Sequence, residues 1–367
     1  MILKKRNLEI ELLRFIFSSL IVLHHARYLY GDGVYSHFLR GSFSVDFFFI
    51  LSGYLMMYSI KKRRLNGMGV SLAYETLLFI KKKVSGLYLE LVIANILGIL
   101  FVLMTATASF SDIAKKIILS FPSDFLFLRM WLYCQSFNGP IWYVSTMILC
   151  MMILFPLLLK WPEFMSIIIA PIISGLLLGY LWFCFHSVLN PPVWVGVTYK
   201  GNIRGMGEIC LGVWTFKFTE YIKMFRYSLF ARLLATYVKW ICYIIVVIWM
   251  IFYRNTDYEP ILIGMYVIGI ALTFSELCLD LDLYNNRICF FLGKLSTPLF
   301  LSHFYLSSPR RDLASIMNVL PQSIDIHLAL IIYYCTSLFL ALTVMIIAEY
   351  IRKSNLLGKM RSIMIVE

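Results

Sequence analysis

Apolar residues run along this chain in long stretches, not in the two-residue alternation of a half-buried strand. A helix crossing about 30 Å of hydrocarbon needs about 20 such residues. Ten stretches come near that length, at approximately 8–30, 41–60, 84–107, 142–160, 164–186, 203–218, 236–253, 259–279, 288–308 and 326–350. The pattern predicts an all-α fold, a polytopic membrane helical bundle of about ten transmembrane helices. Between the third and fourth stretches, Lys115, Lys116, Pro122 and Asp124 interrupt moderately apolar sequence. Segment 108–141 is therefore expected to be interfacial or re-entrant.

Composition excludes the alternatives. The chain has 367 residues, 60% hydrophobic and 14% charged, against about 45–50% and about 25% in soluble domains. A water-soluble globule is ruled out, and a single membrane domain over 1–367 with no soluble appended domain is expected. The formal charge of +13 raises the question of nucleic acid. The basic residues fall in short clusters between apolar runs, however, where they set topology, so no nucleic-acid partner is expected. With the N-terminus inside, the inner segments hold 21 of the 33 Lys and Arg residues and the outer segments nine. That asymmetry predicts both termini on the cytoplasmic side. Arg14, Arg204 and Lys294 remain, all within spans. The eight cysteines are scattered, with no CxxC pair, and signal neither a disulfide framework nor a metal site. Lys4-Lys5-Arg6 and the apolar run behind them imitate a signal peptide, but the run is too long, contains Arg14 and lacks a small-x-small exit. An uncleaved first helix is expected.

Ionisable groups at membrane depth are costly and point to function. Arg14 and His25 are eleven residues apart, which returns a helix to within about 20° of the same face and separates them by about 16 Å along its axis. Arg14 then lies in the cytoplasmic half, suited to hold an anion, and His25 in the outer half, suited to proton transfer. Asp46, on the second helix, is expected at a depth close to that of His25, where a carboxylate would orient the imidazole; helix capping is the competing reading. His303 on the ninth helix and Arg204 and Glu208 on the sixth are expected near the same level, with Trp142, Tyr143 and Ser145 at the start of the fourth. A simple i, i+4 pair competes as the role of Arg204 and Glu208. His24 is turned away by about 100° and reads as structural.

These residues carry a resemblance. Glu11-Leu12-Leu13-Arg14, ten further residues and His25, followed by Ser44-Val45-Asp46-Phe47-Phe48-Phe49-Ile50-Leu51-Ser52-Gly53-Tyr54-Leu55, resemble the acyltransferase-3 family of integral membrane O-acyltransferases. Asn138-Gly139-Pro140-Ile141-Trp142-Tyr143-Val144-Ser145 is similar to that family's Trp-containing signature, and the run from Leu292 to Phe304 to its late Ser-to-His signature. The resemblance covers essentially the whole chain. It implies transfer of an acyl group, usually acetyl from acetyl-CoA, to a hydroxyl of a surface glycan. Where the family often has Arg-x-x-Arg, this chain has Lys83 and then Gly86, and the extracytoplasmic esterase-like domain of some relatives is not seen.

Together these readings set the expectations. His25 is the general base, with Asp46 and His303 beside it. Arg14, Lys81, Lys82 and Lys83 bind the phosphates of acetyl-CoA. Trp142, Tyr143, Ser145, Arg204 and Glu208 bind the acceptor, a surface polysaccharide or lipid-linked oligosaccharide presented at loops 27–41, 108–141, 187–202 and 309–325. No metal is expected. Separate glycan-assembly proteins are possible partners, and a bacterial plasma membrane is the expected location. The competing class is a polytopic transporter or glycan flippase, since buried charges also line transport paths.

Overall fold

The computed structural model describes residues 7–30, 37–65, 71–132, 135–253, 255–279, 286–308, 312, 315–321 and 323–354. Lys4-Lys5-Arg6, Arg254, Arg310, Arg311, Lys359 and Arg361 of the charge map, Cys134 and parts of the acceptor loops lie outside the described residues.

Helices dominate, in the order α1 (Leu8–His25), α2 (Arg27–Tyr30), α3 (Ser44–Leu65), α4 (Leu72–Thr105), α5 (Phe110–Leu126), α6 (Ile141–Lys160), α7 (Pro162–Phe164), α8 (Ala170–Phe185), α9 (Lys200–Ile222), α10 (Leu229–Phe252), α11 (Glu259–Phe274), α12 (Asn286–Ser302) and α13 (Ile326–Lys353). A π-helical turn, Met165–Ile169, joins α7 to α8. A two-residue hairpin, Trp194–Val195 against Thr198–Tyr199, is the sheet of the described residues. Side-chain caps set several starts. Asn7 accepts from the Ile10 N–H, Ser71 from Tyr74, Ser228 from Ala231, and Asp325 from His327 and Leu328.

Each of the ten predicted segments falls on a helix. Among the described residues, six helices are long and apolar enough to cross a bilayer: Gly41–Leu65, Leu72–Thr105, Ile141–Lys160, Pro162–Phe185, Leu229–Phe252 and Ile326–Lys353. Glu259–Phe274 is apolar but shorter. Among the rest, α1 carries Glu9, Glu11 and Arg14, α9 carries Lys200, Arg204, Glu208, Lys217 and Glu220, and α12 has 17 residues. His25 and Arg204 lie on helices outside those six, and His303 just follows a third, while the long apolar span Pro162–Phe185 presents most of its surface outward.

The third predicted span differs in length. α4 begins at Leu72 rather than at residue 84 and runs 34 residues, about 51 Å at 1.5 Å per residue. With a capped start and no proline, nothing ends the helix earlier, so Lys81, Lys82 and Lys83 lie within it. Segment 108–141 contains a discrete helix, α5, which ends where Phe127 adopts a left-handed conformation at φ 59°. At the centre of the bundle, α3 and α9 meet backbone to backbone. A Cβ on Gly53 would strike the Ile209 carbonyl, and one on Gly212 the Ile50 carbonyl, so glycine is required at both for this approach.

Candidate functional site

α1 ends at His25, and α12 ends one residue before His303. Pro298 lies inside α12 and offers no N–H to the carbonyl of residue 294. Ser302 bonds back to the Pro298 carbonyl at 2.9 Å, and the chain tightens into a 3₁₀ turn, His303–Leu306. His303 is fully buried there. Its Nδ1 is 3.0 Å from the Leu299 carbonyl, and its Nε2 is 3.2 Å from Nδ1 of His25. His25 Nδ1 is also 2.9 Å from the Ile21 carbonyl.

These contacts assign the protons. A carbonyl only accepts, so Nδ1 of each neutral ring carries the hydrogen. His303 then offers a bare Nε2 to the Nδ1–H of His25, which the Ile21 carbonyl shares, and His25 keeps a bare Nε2 that takes no hydrogen bond among the described residues. Phe304, edge-on at 5.1 Å, and Tyr28, at 5.8 Å between ring centroids, stand beside the His25 ring. His24 turns to the Phe38 carbonyl at 3.1 Å.

Asp46 is not the partner of His25, whose contacts among the described residues include no carboxylate. Asp46 instead pairs with Nη2 of Arg204, whose Nε lies 3.0 Å from Glu208. All three are fully buried, and the Trp142 ring lies 5.7 Å from the guanidinium carbon. The depth estimate gave Asp46 a height in the membrane but not a direction around the helix axis. The close approach of α3 and α9 puts Arg204 beside Asp46, and a full charge in a poorly screened interior attracts a carboxylate more strongly than a neutral imidazole does. Asp46 Oδ1, Arg204 Nη1 and Glu208 Oε2 are buried without a hydrogen-bond partner among the described residues. Asp46 and Glu208 thus both pair with the one guanidinium.

Trp142, Tyr143 and Ser145 diverge. Ser145 is fully buried: it donates to the Phe127 carbonyl at 2.5 Å and accepts from the Met130 N–H at 3.0 Å. That pins the chain after α5. The Tyr143 hydroxyl lies 3.3 Å from Ser52, and its ring is 5.7 Å from Phe300, itself 6.3 Å from His303.

Nearer the start of α1, a cleft of about 450 Å³ opens between α1, α4, α12 and α13. Arg14, Glu90, Lys294, Thr297, Glu349 and Arg352 line it, with Gly86 at its edge. Arg14 bonds to Glu11 at 3.0 Å and to the Thr297 hydroxyl at 3.1 Å. Lys294 pairs with Glu349 at 2.8 Å and Arg352 with Glu90 at 3.1 Å. Of the expected donor-binding residues, Arg14 is in this cleft and the three lysines are not. Lys81 and Lys82 are exposed, and the partly buried Lys83 ammonium lies 5.7 Å from the Phe79 ring. The basic residues the sequence reading missed are Lys294, Arg352 and Lys353. The last two stood in a terminal cluster indistinguishable from topology charges, whereas Lys294 was already marked as a charge that topology leaves over.

Long apolar helices around polar interior helices define an integral membrane protein, and the cleft and histidine pair give it an interior suited to catalysis. The acyltransferase-3 family, described as an acyltransferase domain, matches residues 7–350, and the chain belongs to that family. It is therefore an acyltransferase, and the transporter reading is set aside. No curated protein and no solved structure matches the chain.

Proposed function

We propose that this acyltransferase moves an acetyl group from cytoplasmic acetyl-CoA to a hydroxyl of a cell-surface or lipid-linked glycan, in a bacterial plasma membrane it crosses ten times with both termini inside. The ten helices at the ten apolar stretches and the basic bias of alternate loops support this topology. The observation that carries the reading is the His25–His303 pair. Its free Nε2 lies on α1, and α1 and α12 both also line the cationic cleft.

Arg14, Lys294 and Arg352 suit the donor's phosphates. The thioester extends between α1 and α12 toward the histidines, past Thr297 and Phe300. His25 Nε2 takes the proton from the acceptor hydroxyl as its oxygen attacks the thioester carbonyl. The carbon–sulfur bond then breaks, and the departing thiolate takes that proton back from Nε2. While His25 is cationic, its Nδ1–H is held by His303 Nε2, the orienting part expected of Asp46. The glycan acceptor rests on the family resemblance.

The test uses the full chain in phospholipid vesicles, with radiolabelled acetyl-CoA and envelope glycan extracted from the source cells. His25→Ala is expected to lower transfer by about 10²–10⁴-fold with normal membrane insertion. His303→Ala should cost on the order of 10–10²-fold, because the base remains but is no longer held. Wild-type transfer by His25→Ala would end the proposal.

A further inference from the structure

A buried polar network holds the turn that carries His303. The fully buried Asn138 donates through Nδ2 to the Leu301 carbonyl at 2.8 Å and to Asn95 Oδ1 at 3.2 Å. The Tyr305 hydroxyl donates to the same Asn95 oxygen at 3.1 Å, and Asn95 Nδ2 bonds the Asp124 carbonyl at 2.6 Å. Arg129 fixes the loop below by donating to the Gly139 and Asn138 carbonyls at 2.7 and 3.2 Å. Space is matched as closely as hydrogen bonding. Any Cβ on Gly98 would enter the Tyr305 ring, and one on Gly139 the Phe304 ring.

Leu301 and Tyr305 stand two residues before and after His303, so the network grips the histidine from both sides without touching its ring. The end of α12 explains how. The last four carbonyls of a helix lack partners within it, and two of α12's are put to use: Leu299 receives the Nδ1–H of His303, and Leu301 receives the amide of Asn138.

We infer that Asn138 is a positioning residue for His303, fixing the end of α12 so that His303 Nε2 stays within hydrogen-bond reach of His25, with Asn95 and Tyr305 completing the grip. This rests on the histidine-pair reading above. It gives the Asn138-Gly139 stretch a task in aligning the base.

The test is a cycle of full-length wild type, Asn138→Ala, His303→Ala and the double variant, assayed in phospholipid vesicles with radiolabelled acetyl-CoA and extracted envelope glycan. Asn138→Ala should lower kcat about 10–10²-fold and leave the KM for acetyl-CoA within about twofold. In the His303→Ala background the same change should cost less than about twofold, because the group it positions is already gone. Wild-type kcat for Asn138→Ala, or an equal fractional loss in both backgrounds, overturns the inference while the histidine pair stands. Full activity of His303→Ala overturns both. Should Asn138→Ala fail to fold, Tyr305→Phe keeps the ring over Gly98 and removes only the hydroxyl. A kcat loss of about 3–10-fold that vanishes without His303 supports the inference, and one that persists overturns it.

Discussion

A histidine whose Nδ1 lies against a main-chain carbonyl has only Nε2 for accepting a proton, and both His25 and His303 are in that position. In each case the carbonyl belongs to the residue four before it in the chain, so the tautomer is set locally. Pairing the rings end to end then leaves one outward nitrogen, on His25. The carboxylate first expected there serves elsewhere. Asp46→Ala should therefore act through stability, because it strips Arg204 of one of its two carboxylate partners in a fully buried cluster. A loss of about 3–5 kcal/mol is expected, read as a lower unfolding temperature in detergent, with kcat per folded molecule close to wild type. A kcat loss like that of His25→Ala, without destabilisation, would return Asp46 to the chemistry. That Arg14 and His25 share a face was legible in the sequence, because one helix fixes the angle between its own residues. Which neighbour Asp46 meets was not, since that depends on how α3 and α9 rotate against each other, and the Gly53–Gly212 contact that decides it emerges only from packing.

At the scale of elements, α12 and α4 each carry a local departure with a consequence. Pro298 interrupts the hydrogen bonding of α12 one turn before the 3₁₀ turn. Pro298→Ala restores an N–H for the carbonyl of residue 294, and the straighter helix should carry His303 away from His25. Expected are unchanged or improved thermal stability and a kcat lower by about tenfold, checked by parallel unfolding and turnover measurements. On α4, Gly86 borders the cleft with nothing within 4 Å of an added Cβ. Gly86→Arg should be accommodated and add a phosphate contact, lowering the KM for acetyl-CoA about three- to tenfold. An unchanged or higher KM would show that the donor's phosphates lie elsewhere. The sequence located helix α4 but not its start, because charged residues at 81–83 look like a loop to a hydropathy reading, while the Ser71 cap ten residues earlier shows that the helix runs on through them.

For the molecule as a whole, the charge map that predicts topology also conceals the cleft. Arg352 and Lys353 stand at the C-terminal end of α13, where the charge map counts them, and also line the cleft, and no one-dimensional count separates the two duties. Lys294, the leftover charge, was the available clue. Because the cleft's cations are held by Glu11, Glu90 and Glu349, an anionic donor must exchange places with carboxylates. Its affinity should fall with ionic strength, so the KM for acetyl-CoA is expected to rise several-fold between about 0.05 and 0.5 M salt, as the screening length shrinks, with kcat unchanged. A flat salt profile would move the donor site away from this cleft. One feature extends past any single assay. α1 and α12 each border the cleft and each lead to a histidine, so the pair behaves as two rods clamped together. A slip of one against the other by a single residue would displace phosphate grip and proton acceptor in the same stroke.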